Sequence, residues 1–250
     1  MHPRPSGFVA LLTDFGLADP YVGIMKGAVL RASPRVQIVD VTHDVAPQDV
    51  EAGAFFVRAL VGRFPAGTVH VAVVDPGVGT ARRLLAVAAH DAYWLGPDNG
   101  VLGPVATGEV RAIDVAHLGI RPESNTFHGR DILGPVAAWL AAGRYGFASL
   151  GPLVVEPVRL RTGNGSPRVL HVDRYGNLVT NVPAAGLAGV GGVRVGGQVA
   201  PLVRTYADAP PGGLVALVGS YGLLEVAKNG GDAARATGTG RGAPIELVPA

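Results

Sequence analysis

Two apolar runs that each end on a carboxylate constrain most strongly what this chain can become. Val9-Ala10-Leu11-Leu12-Thr13 leads into Asp14-Phe15-Gly16, and Val71-Ala72-Val73-Val74 leads into Asp75-Pro76-Gly77-Val78-Gly79. Both runs are short and aliphatic, as expected for strands buried on both faces of a parallel sheet. An open α/β sheet binds ligands outside the carboxyl ends of its strands, so acids delivered to that rim are candidate site residues. A local role competes for each, because Asp also caps helices and closes turns.

Around these runs the pattern alternates. Strand Val9–Thr13 is followed by a helix at Tyr21–Arg31, a strand at Val36–Val41 and a helix at Asp49–Phe64. That second helix carries Val50, Ala54, Val57 and Leu60 as an apolar stripe. Strands follow at Val69–Val74, Leu84–Ala89 and Val110–Val115, then a helix at His128–Ala142 with Ile132, Leu133, Val136 and Leu140 on one face. This predicts an α/β N-terminal domain over residues 1–160 with a largely parallel sheet. Turn-rich stretches at Gly151–Pro157 and Thr162–Pro167 place the boundary within about 155–167. Beyond it, short runs at Val169–Val172, Val193–Val195, Leu202–Thr205, Leu214–Val218, Leu223–Val226 and Ile245–Val248 predict an all-β, barrel-like domain over residues 161–250.

Composition narrows the chemistry. The 250 residues are 48% hydrophobic and 16% charged, which describes a compact soluble protein. No apolar run reaches bilayer-spanning length and the N-terminus lacks signal-peptide architecture, so the expectation is a cytoplasmic protein with no membrane partner. Without Cys there are no disulfides, thiol nucleophiles or Cys-ligated metals. Net charge is only +2, and Arg82-Arg83 is the one adjacent basic pair, so nucleic acid is not an expected partner.

Four constellations could carry chemistry. Thr13-Asp14-Phe15-Gly16, with Asp19 and Tyr21, offers a carboxylate for ribose hydroxyls; capping of the next helix is the alternative for Asp19. Asp75-Pro-Gly-Val-Gly-Thr80-Ala-Arg82 places a guanidinium one short loop from an acid, where a structural ion pair is the alternative. Its ending lacks the Gly-Lys-Ser/Thr of a phosphate-binding loop. Asn125-Thr-Phe-His128-Gly129-Arg-Asp131 puts a His at a helix start, where the macrodipole favours neutral imidazole; a half-buried capping His is the alternative. His171-Val-Asp173-Arg-Tyr-Gly-Asn177 supplies an amide suited to an adenine edge, or an Asx-rich hairpin turn. Gly238-Thr-Gly240-Arg-Gly-Ala243 formally matches a dinucleotide fingerprint but opens onto a strand, which rejects it.

Taken together, the segments Leu-Thr-Asp14-Phe-Gly, Val-Thr-His43-Asp, Val-Asp75-Pro-Gly-Val-Gly-Thr, Gly96-Pro-Asp-Asn99-Gly, Thr126-Phe-His128-Gly-Arg-Asp131, Val-Asp173-Arg-Tyr-Gly-Asn177 and Ser220-Tyr-Gly-Leu-Leu-Glu225-Val-Ala-Lys-Asn229-Gly-Gly resemble the S-adenosylmethionine hydroxide adenosyltransferases. These are SAM hydrolases related to fluorinating and chlorinating enzymes, and the resemblance spans almost the whole chain.

The resemblance implies hydrolysis of S-adenosyl-L-methionine to adenosine and L-methionine without metal or other cofactor. It further implies a β-barrel C-terminal domain and a homotrimer with active sites between subunits. The family's catalytic residues fall on Asp75, Arg82 and His128. Ribose binding falls on Asp14, the methionine end on Asp19, Asp173 and Ser220, and the adenine end on Asn177 and the Lys228–Gly230 backbone. Tyr21, Gly129 and Tyr221 complete the implied substrate contacts; Tyr21 stands where halogenating relatives place a Ser. Those relatives also carry a halide-binding Ser in place of Gly129 and a Tyr in place of His128, which favours water over halide here.

Chemically, the leaving group is a neutral thioether, so no general acid is required. Free water, with a pKa of about 15.7, is the obstacle. In-line attack at ribose C5′, with Asp75 and His128 positioning the water and accepting its proton while Arg82 stabilises developing charge, meets it. A metal-dependent hydrolase using Asp14, His43, Asp75 and His128, and a non-catalytic adenosine or SAM sensor, are the alternatives from other classes.

Overall fold

The computed structural model describes residues 2–160 and 165–250. Two compact units divide the chain, residues 1–161 and 162–250. The connector expected at Thr162–Pro167 falls partly on residues 161–164, outside the described residues.

The first unit contains β1 (Phe8–Thr13), α1 (Tyr21–Ala32), β2 (Gln37–Thr42), α2 (Val50–Leu60), β3 (Val69–Val73), β4 (Leu84–Ala89), β5 (Ala92–Pro97), β6 (Glu109–Ala112) and α3 (Gly134–Ala141). The sheet order is β2-β1-β3-β5-β4-β6. Successive side chains on a strand point to opposite faces, and β1 shows the result. Val9 and Leu11 pack with Met25, Val29, Leu133 and Val136 from the α1/α3 side. Leu12 packs with Ala52 and Val57 of α2 and with Trp94 and Leu102. Helices therefore cover both faces, which is why the strands read as continuous apolar runs.

The sheet is mixed, which corrects the expectation of a largely parallel one. β1 pairs in parallel with β2 and β3, and β3 with β5, but β4 runs antiparallel to both β5 and β6. The cause is β5, a strand with no counterpart among the expected ones. Ala92–Pro97 forms a hairpin with β4 across His90-Asp91, both at φ 54. Positive φ at both central residues matches the twist of a two-residue hairpin, a role normally signalled by Asn-Gly. Asp49 caps α2 by accepting from the Ala52 amide at 2.9 Å. The helix stops at Leu60 rather than Phe64: Val61 leaves helical conformation and Gly62 follows at φ 69, a left-handed position that glycine allows.

β1 is the strand from which the connections diverge, with β2 on one side and β3 on the other. That arrangement is a topological switch point, the place where open α/β sheets bind ligands. Thr13 pairs with Val73, so the chain leaves both strands at the same edge and carries Asp14 and Asp75 to one rim.

The second unit holds β7 (Val169–Val172), β8 (Leu178–Pro183), β9 (Val190–Val195), β10 (Gln198–Pro201), β11 (Leu214–Val218), β12 (Leu223–Lys228), α4 (Ala233–Thr237) and β13 (Glu246–Pro249). Its named strands pair antiparallel, in sheets ordered β10-β9-β13 and β11-β12-β8-β7, and an isolated parallel bridge joins Leu202 to Ala216. The strand expected at Leu202–Thr205 is absent. Thr205 and Asp208 close a capping box there, and the Arg204 and Thr205 amides donate to the Asp208 carboxylate at 3.1 Å.

Candidate active site

The rim of β1 and β3 opens into a cavity of about 200 Å³ lined by Asp14, Asp75, Val78, Phe127, His128 and Gly129, among others. Three loops supply these groups. Asp75 begins a turn in which the Val78 amide donates to the Asp75 carbonyl at 3.2 Å. Thr80 then folds its hydroxyl onto the Gly77 carbonyl at 2.8 Å, which brings Arg82 back toward Asp75. Gly79 adopts φ +82, and a Cβ there would lie 3.1 Å from the Asn125 carbonyl oxygen. Glycine is thus what lets the Asp75 loop and the Asn125–His128 loop approach each other.

At the junction, Arg82 Nε donates to Asp75 Oδ1 at 2.6 Å, while Nη2 donates to Asp75 Oδ2 and to His128 Nδ1, the latter at 3.1 Å. The pair is buried, with side-chain exposures of 9% for Arg82 and 6% for Asp75. It is therefore a desolvated, bidentate interaction rather than a surface ion pair. Arg82 Nη1 is also buried and has no hydrogen-bond partner.

Burial, with the positive charge of Arg82 beside it, pushes His128 below its ordinary pKa, against the opposing pull of Asp75 and Asp131. The guanidinium can only donate, so the Nδ1 that faces it accepts, and the neutral imidazole carries its ring proton on Nε2. His128 makes no side-chain capping bond. The lowering runs in the direction expected at a helix start, with burial and Arg82 as its causes. His128 begins one π-helical turn, Gly129–Leu133, in which the Gly134 amide bonds back to the Gly129 carbonyl. Such turns are rare and occur often at functional sites.

Asp14 also lines the cavity, accepting from the Gln48 amide at 2.8 Å. Gln48 holds φ 65 as the third residue of a turn, Ala46-Pro47-Gln48-Asp49, closed by the Asp49 amide on the Ala46 carbonyl at 3.0 Å, with Pro47 in its favoured second position. Asp19 is exposed, and the N-cap of α1 is Pro20 with no side-chain capping bond, so the capping role weighed for Asp19 is not realised. Tyr21 opens α1, its ring 5.6 Å from that of Phe127 and 6.2 Å from that of Phe15. Phe15 and Phe127 were not among the expected site residues, although each adjoins one.

The remaining expected residues lie in the second unit. Asp173 organises the β7–β8 hairpin, accepting from the Tyr175 and Asn177 amides at 2.8 and 2.9 Å and from Asn177 Nδ2 at 2.9 Å. This is the Asx-rich turn considered for the segment. Ser220 and Tyr221 occupy the exposed turn between β11 and β12; Lys228 ends β12, and Gly230 follows at φ 70. A metal site built on His43 is not supported, because its two ring nitrogens already face Thr13 and Asp40. Among the described residues no group of three or more His, Asp or Glu side chains is arranged to hold a metal.

The chain is similar to known proteins over most of its length. Residues 9–151 match the SAM hydroxide adenosyltransferase N-terminal domain and residues 167–246 the corresponding C-terminal domain. An (R)-S-adenosyl-L-methionine hydrolase of Salinispora arenicola (strain CNS-205) is 45% identical over 244 residues, 91% of this chain and 92% of its own length. A fluorinase of Actinoplanes sp. (strain N902-109) is 31% identical, covering 88% of this chain and 90% of its own. The crystal structure of an uncharacterized conserved protein from Thermotoga maritima superposes with a TM-score of 0.88 at 33% identity, covering 96% of this chain and 99% of its own.

Proposed function

The chain belongs to the SAM hydroxide adenosyltransferase family, and on that premise we propose that it hydrolyses S-adenosyl-L-methionine to adenosine and L-methionine by metal-independent attack of water on ribose C5′. A C5′–O bond forms as the C5′–S bond breaks, the sulfur leaves with the electron pair as a neutral thioether, and the water loses one proton. The observation that carries this reading is the buried Arg82 bridge between Asp75 and His128, with Nη1 left without a partner.

The geometry supports distinct roles for the three groups. In its neutral form with Nδ1 turned to Arg82, His128 can offer only an Nε2–H, so it holds the water oxygen as a donor. This revises the expectation that it shares in accepting the proton. Asp75 is then the acceptor, and the cationic, water-excluded Arg82 stabilises hydroxide charge as it develops. Asp14 binds the ribose hydroxyls. Asp19, Tyr21, Gly129, Asp173, Asn177, Ser220, Tyr221, Lys228 and Gly230 are proposed as further substrate contacts on the strength of the family resemblance.

A homotrimer with sites between subunits, acting in the cytoplasm, completes the proposal. Leu17, Tyr21 and Ile24 leave apolar surface exposed just before and at the start of α1, with exposures of 70, 49 and 44%. The cavity of about 200 Å³ is smaller than the roughly 300–1,000 Å³ of common ligand pockets, which favours completion by another surface. For the second unit a barrel-like closure is supported by the Leu202–Ala216 bridge and by one apolar cluster drawing on both sheets.

The test is to incubate EDTA-treated protein with SAM and chloride and separate the nucleosides chromatographically. Equal adenosine and methionine, lost in Asp75→Ala, support the reading. Formation of 5′-chloroadenosine overturns the hydrolase, and retention of intact SAM without turnover replaces it with a sensor.

A further inference from the structure

We propose that His43 is a positioning residue for Asp14, fixing the ribose-binding carboxylate through a buried relay that begins at the protein surface; this rests on the ribose role proposed for Asp14. Lys26 Nζ on α1 donates to Asp40 Oδ2 at 2.5 Å, and Asp40 Oδ1 faces His43 Nε2 at 2.9 Å. His43 Nδ1 lies 2.8 Å from the Thr13 hydroxyl, which accepts from the Phe15 amide at 3.2 Å. His43 is 4% exposed and Thr13 is fully buried. The Asp40 carboxylate can only accept, so it fixes the Nε2–H tautomer and leaves Nδ1 to accept the Thr13 proton.

The backbone completes a clamp. The Gly16 amide donates to the His43 carbonyl at 2.8 Å, and the Val45 amide to the Thr13 carbonyl at 3.3 Å. The Gln48 amide reaches the Asp14 carboxylate itself. Asp14 is thus flanked on both sides by residues tied to the 43–48 loop. Truncating His43 releases the Thr13 hydroxyl, and with it the orientation of the next residue. A carboxylate that must meet two ribose hydroxyls is sensitive to such a shift, whereas the adenine end of a ligand is not.

The proposal makes the effect of His43 specific to the ribose hydroxyls, which a general structural role would not. Calorimetric affinities of the full chain for adenosine and for 2′,3′-dideoxyadenosine are measured in wild type, His43→Gln, Asp40→Asn and Asp14→Asn. His43→Gln weakens adenosine roughly tenfold, the scale of one buried hydrogen bond, and leaves the dideoxynucleoside within about twofold. Asp40→Asn, at the exposed end of the relay, shows a smaller loss with the same selectivity. Equal weakening of both nucleosides by His43→Gln overturns the proposal. So does a ribose-selective loss in His43→Gln that persists undiminished when combined with Asp14→Asn. SAM turnover by the same wild-type preparation is read separately, so failure of the hydrolase reading is distinguished from failure of this placement.

Discussion

Arg82 Nη2 lies 3.1 Å from His128 Nδ1, so a cation donates to the one imidazole nitrogen that would otherwise take a proton. Protonating His128 would set two cationic donors against each other in a buried place.

A pH dependence follows. Burial and Arg82 hold His128 below its ordinary 6.5, so the neutral form persists at neutral pH and is lost only as pH falls through that lowered value. The acid limb of kcat/KM assigned to His128 therefore lies below 6.5 and disappears in His128→Asn. A His128-dependent limb above that value contradicts the tautomer assignment.

Removing one partner of the buried pair exposes its cost. Arg82→Ala leaves Asp75 as an uncompensated buried carboxylate, with an expected destabilisation of about 3–5 kcal/mol. Asp75→Asn lowers kcat by about a hundredfold or more, the range for a lost general base. Denaturant unfolding and steady-state kinetics check the two effects, and full activity in Arg82→Ala would remove Arg82 from the mechanism.

Two glycines should respond oppositely to alanine. At Gly129 a Cβ meets Met25, Phe15 and Phe127 at 3.5–3.6 Å, an ordinary contact, so Gly129→Ala keeps its stability but loses activity by narrowing the cavity. Gly176 sits at φ +81, where a Cβ would fall 2.2 Å from the Asp232 carboxyl group that caps α4. Gly176→Ala should cost at least about 1–3 kcal/mol. Thermal unfolding of both variants beside their activities separates the two cases.

His70 sets an acid limit on stability. It stacks on Trp94 with ring centroids 4.0 Å apart, its Nδ1 is buried without a partner, and burial lowers its pKa from 6.5 to about 4. Across that window the unfolded chain binds a proton that the native state does not, so stability falls as pH falls. The loss approaches roughly 3 kcal/mol at about 1.4 kcal/mol per unit. Urea titrations over this range show the slope, which His70→Phe flattens; an unchanged slope would assign it to other groups.

The rim carboxylates were legible because an uninterrupted apolar run ending on Asp has few alternatives in a doubly covered sheet. The hairpin at His90-Asp91 was not, since its positive φ angles carry no glycine to announce them. The π-turn at Gly129 hides for a related reason: one extra residue in the turn leaves the apolar face of the following helix intact. Asp75, Arg82 and His128 could be nominated singly, but the contact joining Arg82 to His128 spans 46 positions, beyond the reach of local patterning. For Asp173 and Asn177 the turn was legible in the sequence, and the hydrogen bonds of the β7–β8 hairpin form it.

The central claim is that water attacks ribose C5′ at the Asp75–Arg82–His128 junction. It is tested most directly by turning over SAM in heavy-oxygen water and weighing both products by mass spectrometry. The account predicts heavy oxygen in the adenosine 5′-hydroxyl, unlabelled methionine, and loss of both products in Asp75→Ala. Unlabelled adenosine, or label incorporated by the Asp75→Ala variant at the wild-type rate, would contradict it.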